Sequence, residues 1–188
     1  MSLGVAGILS SVERILLDEV AIRQRVGELA GRIRNDFAGR ELTVVALMDG
    51  ALFFVADLLR DVTLPVRLHT LSVSSYHGGA SSTGRVEIAR SLPFDLRGRD
   101  VLLIDDILDT GLTLSTMQER ILSECQPVSL RTAVLLSKQR PREREVAVDY
   151  IGFEIADEFV VGYGMDYQGH YRNLPCIGIL NPAQLPAS

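Results

Sequence analysis

One stretch constrains this chain more than any other: residues 101–116 read VLLIDDILDTGLTLST. The unbroken apolar run Val101-Leu102-Leu103-Ile104 ends on two adjacent carboxylates, Asp105 and Asp106, and the turn residues Asp109, Thr110 and Gly111 follow. A strand without polar alternation is buried on both faces, which is how parallel sheets hold their strands. The turn residues and the helical composition of 113–123 therefore predict a strand, a loop and a helix in succession. In open α/β sheets ligands collect at the carboxyl ends of the strands, and here that end carries the acidic pair.

The flanking sequence fits the same architecture. Behind a predicted Asp18 N-cap, Ile22, Val26, Leu29, Ala30, Ile33 and Phe37 recur at intervals of three and four, an amphipathic helix over 18–37 that stops before Gly39. Residues 42–47 read as a buried strand, 51–60 as a helix and 66–74 as a strand, with further strands over 100–106, 128–136, 150–153, 159–163 and 176–180. Alternating strands and helices predict an α/β fold, a mainly parallel twisted sheet flanked by helices and extended by short C-terminal strands. The glycine-rich segment 76–84, YHGGASSTG, has almost no apolar anchor and predicts a flexible loop. No repeat or linker divides the 188 residues, so one domain is expected.

The loop chemistry is specific. Asp109, Thr110, Gly111, Leu112 and Thr113 offer successive amides, two hydroxyls and a glycine at a helix N-terminus, where the macrodipole adds about half a positive charge. That is a phosphate cradle, and neither GxxxxGK[ST] nor GxGxxG occurs in the chain. Asp105 and Asp106 would repel a second phosphate but suit vicinal sugar hydroxyls or a hydrated Mg²⁺, so a ribose 5-phosphate fits. Nineteen Lys and Arg against 24 Asp and Glu, a net charge of −5, oppose binding nucleic acid through its phosphates. Runs of apolar residues fall well short of the ~20 needed to span a membrane. Cys125 and Cys176 stand far apart, which excludes a CxxC pair or a zinc ribbon and suits the cytoplasm.

VLLIDDILDTGLT resembles the phosphoribosyl-diphosphate (PRPP) motif of the type I phosphoribosyltransferases. Residues 148–175, VDYIGFEIADEFVVGYGMDYQGHYRNLP, resemble the purine-binding end of the hypoxanthine and hypoxanthine-guanine members, and LLSKQRPR from Leu135 resembles their purine lysine strand. The matching motifs run from about Val44 to Leu180. The resemblance implies purine salvage: transfer of the 5-phosphoribosyl group from PRPP to a 6-oxopurine, hypoxanthine and also guanine, with Mg²⁺ and release of diphosphate. It implies a type I fold with a small hood built from the N- and C-terminal segments, and a homodimer or homotetramer.

By the same resemblance Asp105, Asp106, Asp109, Thr110, Gly111, Leu112 and Thr113 bind PRPP, and Asp109 handles the purine N7 proton. Lys138 donates to the 6-oxo group, Phe159 stacks on the base and the Val160 backbone reads its edge. Asp166, with Asp105 and Asp106, serves the metal. Asp49, Gly50 and Arg172 serve the diphosphate, and Ser75 and Tyr76 open a lid. One departure stands out: Asp49 occupies a position where many relatives have lysine, so this loop is expected to act through its backbone, on a cis peptide bond, with Mg²⁺ and Arg172 supplying positive charge. Two other classes fit less well. A nucleic-acid-binding regulator needs a larger basic surface than Lys138 to Arg144, which Glu143 interrupts, and a pyrimidine-directed enzyme leaves residues 159–167 unexplained.

Overall fold

The computed structural model describes residues 12–75, 86–87 and 92–180. In chain order the elements are β1 (Val12–Leu17), α1 (Glu19–Asp36), β2 (Leu42–Met48), α2 (Leu52–Asp61), β3 (Val66–Ser72), β4 (Ser74–Ser75) and β5 (Val86–Glu87). Then come β6 (Asp100–Leu108), α3 (Leu112–Arg120), β7 (Ser129–Lys138), β8 (Tyr150–Ile155), β9 (Val160–Val161) and β10 (Ile177–Leu180). Five strands in the order β3-β2-β6-β7-β8 form one sheet, parallel throughout.

Strand alternation explains the layers. Val44, Ala46, Leu102, Ile104 and Leu135 face α1 and α2 and pack with Ile22, Leu29, Ile33 and Phe54. Val45, Leu47, Val101, Leu103 and Val134 face the other way, onto Leu114, Met117 and Ile121 of the α3 side. Because both faces are covered, β2 and β6 carry the continuous apolar runs seen in the sequence. The predicted Asp18 cap is present: its Oδ1 accepts the Ala21 amide at 2.8 Å. Polar contacts then fix α1 on the sheet, with Arg25 Nε donating to the Gly152 carbonyl at 2.6 Å and Tyr150 Oη donating to Asp36 at 2.7 Å.

Of the expected C-terminal strands, β8 extends the parallel sheet, whereas β9 and β10 leave it and form a separate antiparallel sheet in the order β1-β10-β9. Its first strand, β1, precedes the predicted helix where no element is expected from the sequence. Only pairing with residues 160 or more positions later, Val12 with Leu180 and Leu17 with Ile177, gives VERILL its strand conformation. The predicted 159–163 strand shrinks to Val160–Val161, because Gly162, Tyr163 and Gly164 all have positive φ and turn the chain away. The α3 helix likewise ends early, widening into a π-type turn at Ile121–Cys125 that Gln126 closes in the left-handed region. The strand expected over 66–74 stops at Ser72.

Candidate active site

The carboxyl ends of β2, β6 and β7 open into one cleft of about 830 Å³, which the loops after β9 help to enclose. Its lining brings together Asp49, Gly50, Asp105, Asp106, Asp109, Thr110, Gly111, Thr113, Lys138, Phe159, Val160, Asp166 and Arg172, residues spread over more than 120 positions of sequence. Leu112 lies just behind this wall, its amide on Thr110 Oγ1 at 3.4 Å. Ser75 closes the short strand β4, and Tyr76 and the rest of the expected lid lie outside the described residues.

The phosphate loop is fixed by its surroundings. Gly111, the residue before α3, has φ +85°, and a Cβ there would stand 2.1 Å from the Arg144 carbonyl oxygen. Only glycine fits. The Thr110 carbonyl accepts the amides of Glu143 and Arg144 at 3.0 and 3.2 Å, so the segment after β7 hangs from the loop. One turn into the helix, Ser115 donates its amide to the Gly111 carbonyl at 2.9 Å.

The acidic pair ends β6. Asp105 Oδ1 accepts the Asp106 amide at 3.1 Å and Asp106 Oδ1 accepts the Ile107 amide at 2.9 Å. Burial pushes the Asp105 carboxyl well above the usual carboxylate range, and the neighbouring Asp106 charge pushes it further. Burial also raises Asp106, against hydrogen bonds from Asp105 and the Ile107 amide and the positive charge of Arg172. Asp106 lies against Gly50, where a Cβ would meet its Oδ2 at 2.0 Å. Gly50 in turn touches the hood: a Cβ on Gly164 would meet the Gly50 carbonyl at 2.0 Å. The Met48–Asp49 peptide bond is cis.

On the hood side Arg172 Nη1 donates to the Gly164 carbonyl at 2.6 Å and Nη2 pairs with Asp166 at 2.9 Å. Asp166 also accepts the Gly169 amide at 2.8 Å. Phe159, 42% exposed although apolar, presents its ring to the cleft with Tyr167 edge-on at 5.7 Å. Tyr163 anchors the hood to α2 by donating to Asp57 at 2.7 Å, and burial with that bond holds its hydroxyl far above the usual phenol range.

Register sets the last pair. Leu108 of β6 lies beside Ser137 of β7, so the next residues in each chain, Asp109 and Lys138, meet: Nζ stands 2.9 Å from Oδ2. Two residues not singled out from the sequence complete this corner. Arg140 contacts Asp109 Oδ1 at 3.0 Å, and Asp157 lies 3.4 Å from Lys138 and 3.5 Å from Arg140. In sequence Arg140 is one of a basic cluster and Asp157 a turn residue; only the ends of adjacent strands bring them together.

Among the described residues no three His, Cys, Asp or Glu side chains gather into a protein-only metal cage. The lining nevertheless carries Asp49, Asp105, Asp106, Asp109 and Asp166 against Lys138 and Arg172. This donor set fits Mg²⁺, which binds through one or two carboxylates, water and ligand phosphates. No helix among the described residues is long and apolar enough to cross a membrane.

Comparison with known proteins gives the same direction. The family model described as phosphoribosyl transferase domain matches residues 14–168. Hypoxanthine phosphoribosyltransferase of Salmonella typhimurium is 43% identical over 166 residues, covering 87% of this chain and 93% of that protein. Hypoxanthine-guanine phosphoribosyltransferase of Staphylococcus aureus is 39% identical over 173 residues, covering 92% and 96%. The crystal structure of a Staphylococcus aureus hypoxanthine phosphoribosyltransferase superposes with a TM-score of 0.85 at 39% identity, covering 94% of this chain and 95% of that one.

Proposed function

This chain belongs to the phosphoribosyl transferase family, on its hypoxanthine and hypoxanthine-guanine branch, and from that premise we propose how its residues divide the reaction. The enzyme transfers the 5-phosphoribosyl group of PRPP to a 6-oxopurine, hypoxanthine or guanine, giving the nucleoside 5′-monophosphate and diphosphate, a purine-salvage reaction. The observation that carries the assignment of the base is the Lys138–Asp109 pair, 2.9 Å apart beside the exposed Phe159 ring. A 6-oxopurine sets its O6 acceptor next to N7 on one edge. A lysine donor beside a carboxylate acceptor complements that edge when N7 carries a proton, whereas a 6-amino group would face the ammonium donor to donor.

In the reaction N9 of the base forms a bond to C1′ as the bond from C1′ to the diphosphate oxygen breaks, its electron pair leaving with diphosphate. The N7 proton passes to the Asp109 carboxylate. The 5-phosphate rests on the amides and hydroxyls of Thr110, Gly111, Leu112 and Thr113, and the ribose hydroxyls donate to Asp105 and Asp106. Those carboxylates also face the positive charge that builds on the ribose ring. Phe159 stacks on the base, and the Val160 backbone reads its remaining edge. Asp49 and Gly50 hold the diphosphate through the backbone of their loop, with Arg172 beside it. When bound, Mg²⁺ neutralises the diphosphate; Asp105, Asp106 and Asp166 would hold it, directly or through water.

We read the chain as one domain, the parallel sheet gripping the sugar phosphate and the antiparallel sheet forming a hood over the base. The free thiols Cys125 and Cys176 suit a reducing cytoplasm. The exposed Leu52 and Phe53 on α2 give a homodimer or homotetramer its contact. The test is an initial-rate assay of the purified chain with PRPP, Mg²⁺ and a panel of hypoxanthine, guanine, xanthine, adenine and uracil. Turnover of hypoxanthine or guanine but not adenine or uracil is expected; turnover of adenine or uracil in their place overturns the assignment.

A further inference from the structure

The base-recognising pair does not stand alone. Three neighbouring strand ends deliver four charges to one corner: Asp109 after β6, Lys138 and Arg140 at and after the end of β7, and Asp157 after β8. The ladder continues to this point, since Lys138 lies beside Ile155 and the Gln139 amide donates to the Ile155 carbonyl at 2.8 Å. The charges alternate around a closed ring. Asp109 Oδ2 meets Lys138 Nζ at 2.9 Å and Asp109 Oδ1 meets Arg140 Nη1 at 3.0 Å. Asp157 Oδ1 meets the same two cations at 3.4 and 3.5 Å. Lys138 and Asp109 line the cleft, whereas Arg140 and Asp157 are not among its lining residues.

We propose that Arg140 and Asp157 are positioning residues for base recognition: they hold Asp109 and Lys138 in the spacing that a 6-oxopurine edge requires before the base arrives. The inference rests on the division of roles given above. A carboxylate engaged at both oxygens and an ammonium drawn from two sides have few orientations left. A flexible lysine otherwise surrenders much side-chain freedom when it binds, so ordering it in advance favours the base. The ring is neutral as a whole, two aspartates against one lysine and one arginine, so neither recognising group lacks a counter-charge when it turns toward the ligand. On the division of roles above, PRPP belongs to the phosphate loop and the acidic pair, and neither Arg140 nor Asp157 is among the residues that line that cleft.

Steady-state kinetics with Arg140→Ala, Asp157→Asn and Arg140→Lys test this. Loss of one charged contact to a partly exposed group should raise the KM for hypoxanthine ~10-fold in the first two variants, with the KM for PRPP within ~2-fold of wild type. Arg140→Lys should recover most of the loss. In a double-mutant cycle the effect of Asp157→Asn should largely vanish on a Lys138→Gln background. Calorimetry supplies a readout apart from turnover: Arg140→Ala and Asp157→Asn should weaken inosine 5′-monophosphate and leave ribose 5-phosphate unchanged. An unchanged KM for hypoxanthine, an equal rise in both KM values, or equal weakening of both calorimetric ligands overturns the positioning role while the reading of the site stands. Absence of turnover by the wild-type chain with any 6-oxopurine overturns both.

Discussion

Substituting Gly111 by alanine strikes the phosphate loop at one atom. Its φ of +85° lies where an L residue is strained by ~1–2 kcal/mol. The new Cβ would also stand 2.1 Å from the Arg144 carbonyl oxygen, so that backbone must retreat by about 1 Å to reach even a tight 3.0 Å contact. The retreat pulls on the amides of Glu143 and Arg144, which both donate to the Thr110 carbonyl, and each such bond contributes ~0.5–1.5 kcal/mol. Strain plus one or two weakened bonds gives a destabilisation of about 2–4 kcal/mol, a fall in Tm of roughly 5–15 °C for a chain this size. Gly39→Ala separates the two contributions, because Gly39 has φ +74° with nothing within 4 Å of its Cβ and should lose only the strain. Urea unfolding of both variants reads the difference. Calorimetry should also find inosine 5′-monophosphate weakened by Gly111→Ala and unaffected by Gly39→Ala. If Gly111→Ala is no less stable than Gly39→Ala and binds the nucleotide normally, the close packing of loop and following segment does not shape a phosphate site.

Gly50→Ala should displace the Asp106 carboxylate, 2.0 Å from the added carbon, and raise the KM for PRPP by about tenfold through loss of a charged contact, which steady-state kinetics would read; an unchanged value contradicts it. Tyr150→Phe tests the alkaline limb of stability. Burial and the bond to Asp36 raise the Tyr150 hydroxyl from the usual 10 to about 12, against Arg131, so the neutral phenol favours the fold and its contribution, complete below pH 10, drains away as pH rises toward 12. The phenylalanine variant should lose about 1 kcal/mol at neutral pH and unfold less steeply over pH 10–12, read by urea titration at each pH. Gly31→Ala, in α1 with only Arg34 at 4.0 Å from the added carbon, should gain about 0.5–1 kcal/mol in the same assay.

Features decided locally were legible in the sequence. The Asp18 cap and the apolar spacing of α1, the unbroken run of β6 and the turn at Gly111 each carry their own conformational cause within a few residues. Features decided by distant pairing were not. β1 is a strand only because β10 lies beside it, and β9 and β10 stand apart from the main sheet because they pair with each other and β10 with β1, contacts made across most of the chain length. The site divides the same way. Asp105, Asp106 and the loop after them read directly as a sugar-phosphate cradle, whereas Lys138 and Phe159 gained meaning only from family resemblance. Arg140 and Asp157 became visible only once the register of β6, β7 and β8 placed them against Asp109 and Lys138.

The most direct measurement is a crystal structure of the protein soaked with inosine 5′-monophosphate. The phosphate should sit on the amides of residues 110–113, the ribose hydroxyls on Asp105 and Asp106, and the purine on the Phe159 ring with O6 at Lys138 and N7 at Asp109. A nucleotide bound with its phosphate away from Gly111, or with its base away from Lys138 and Phe159, contradicts the account.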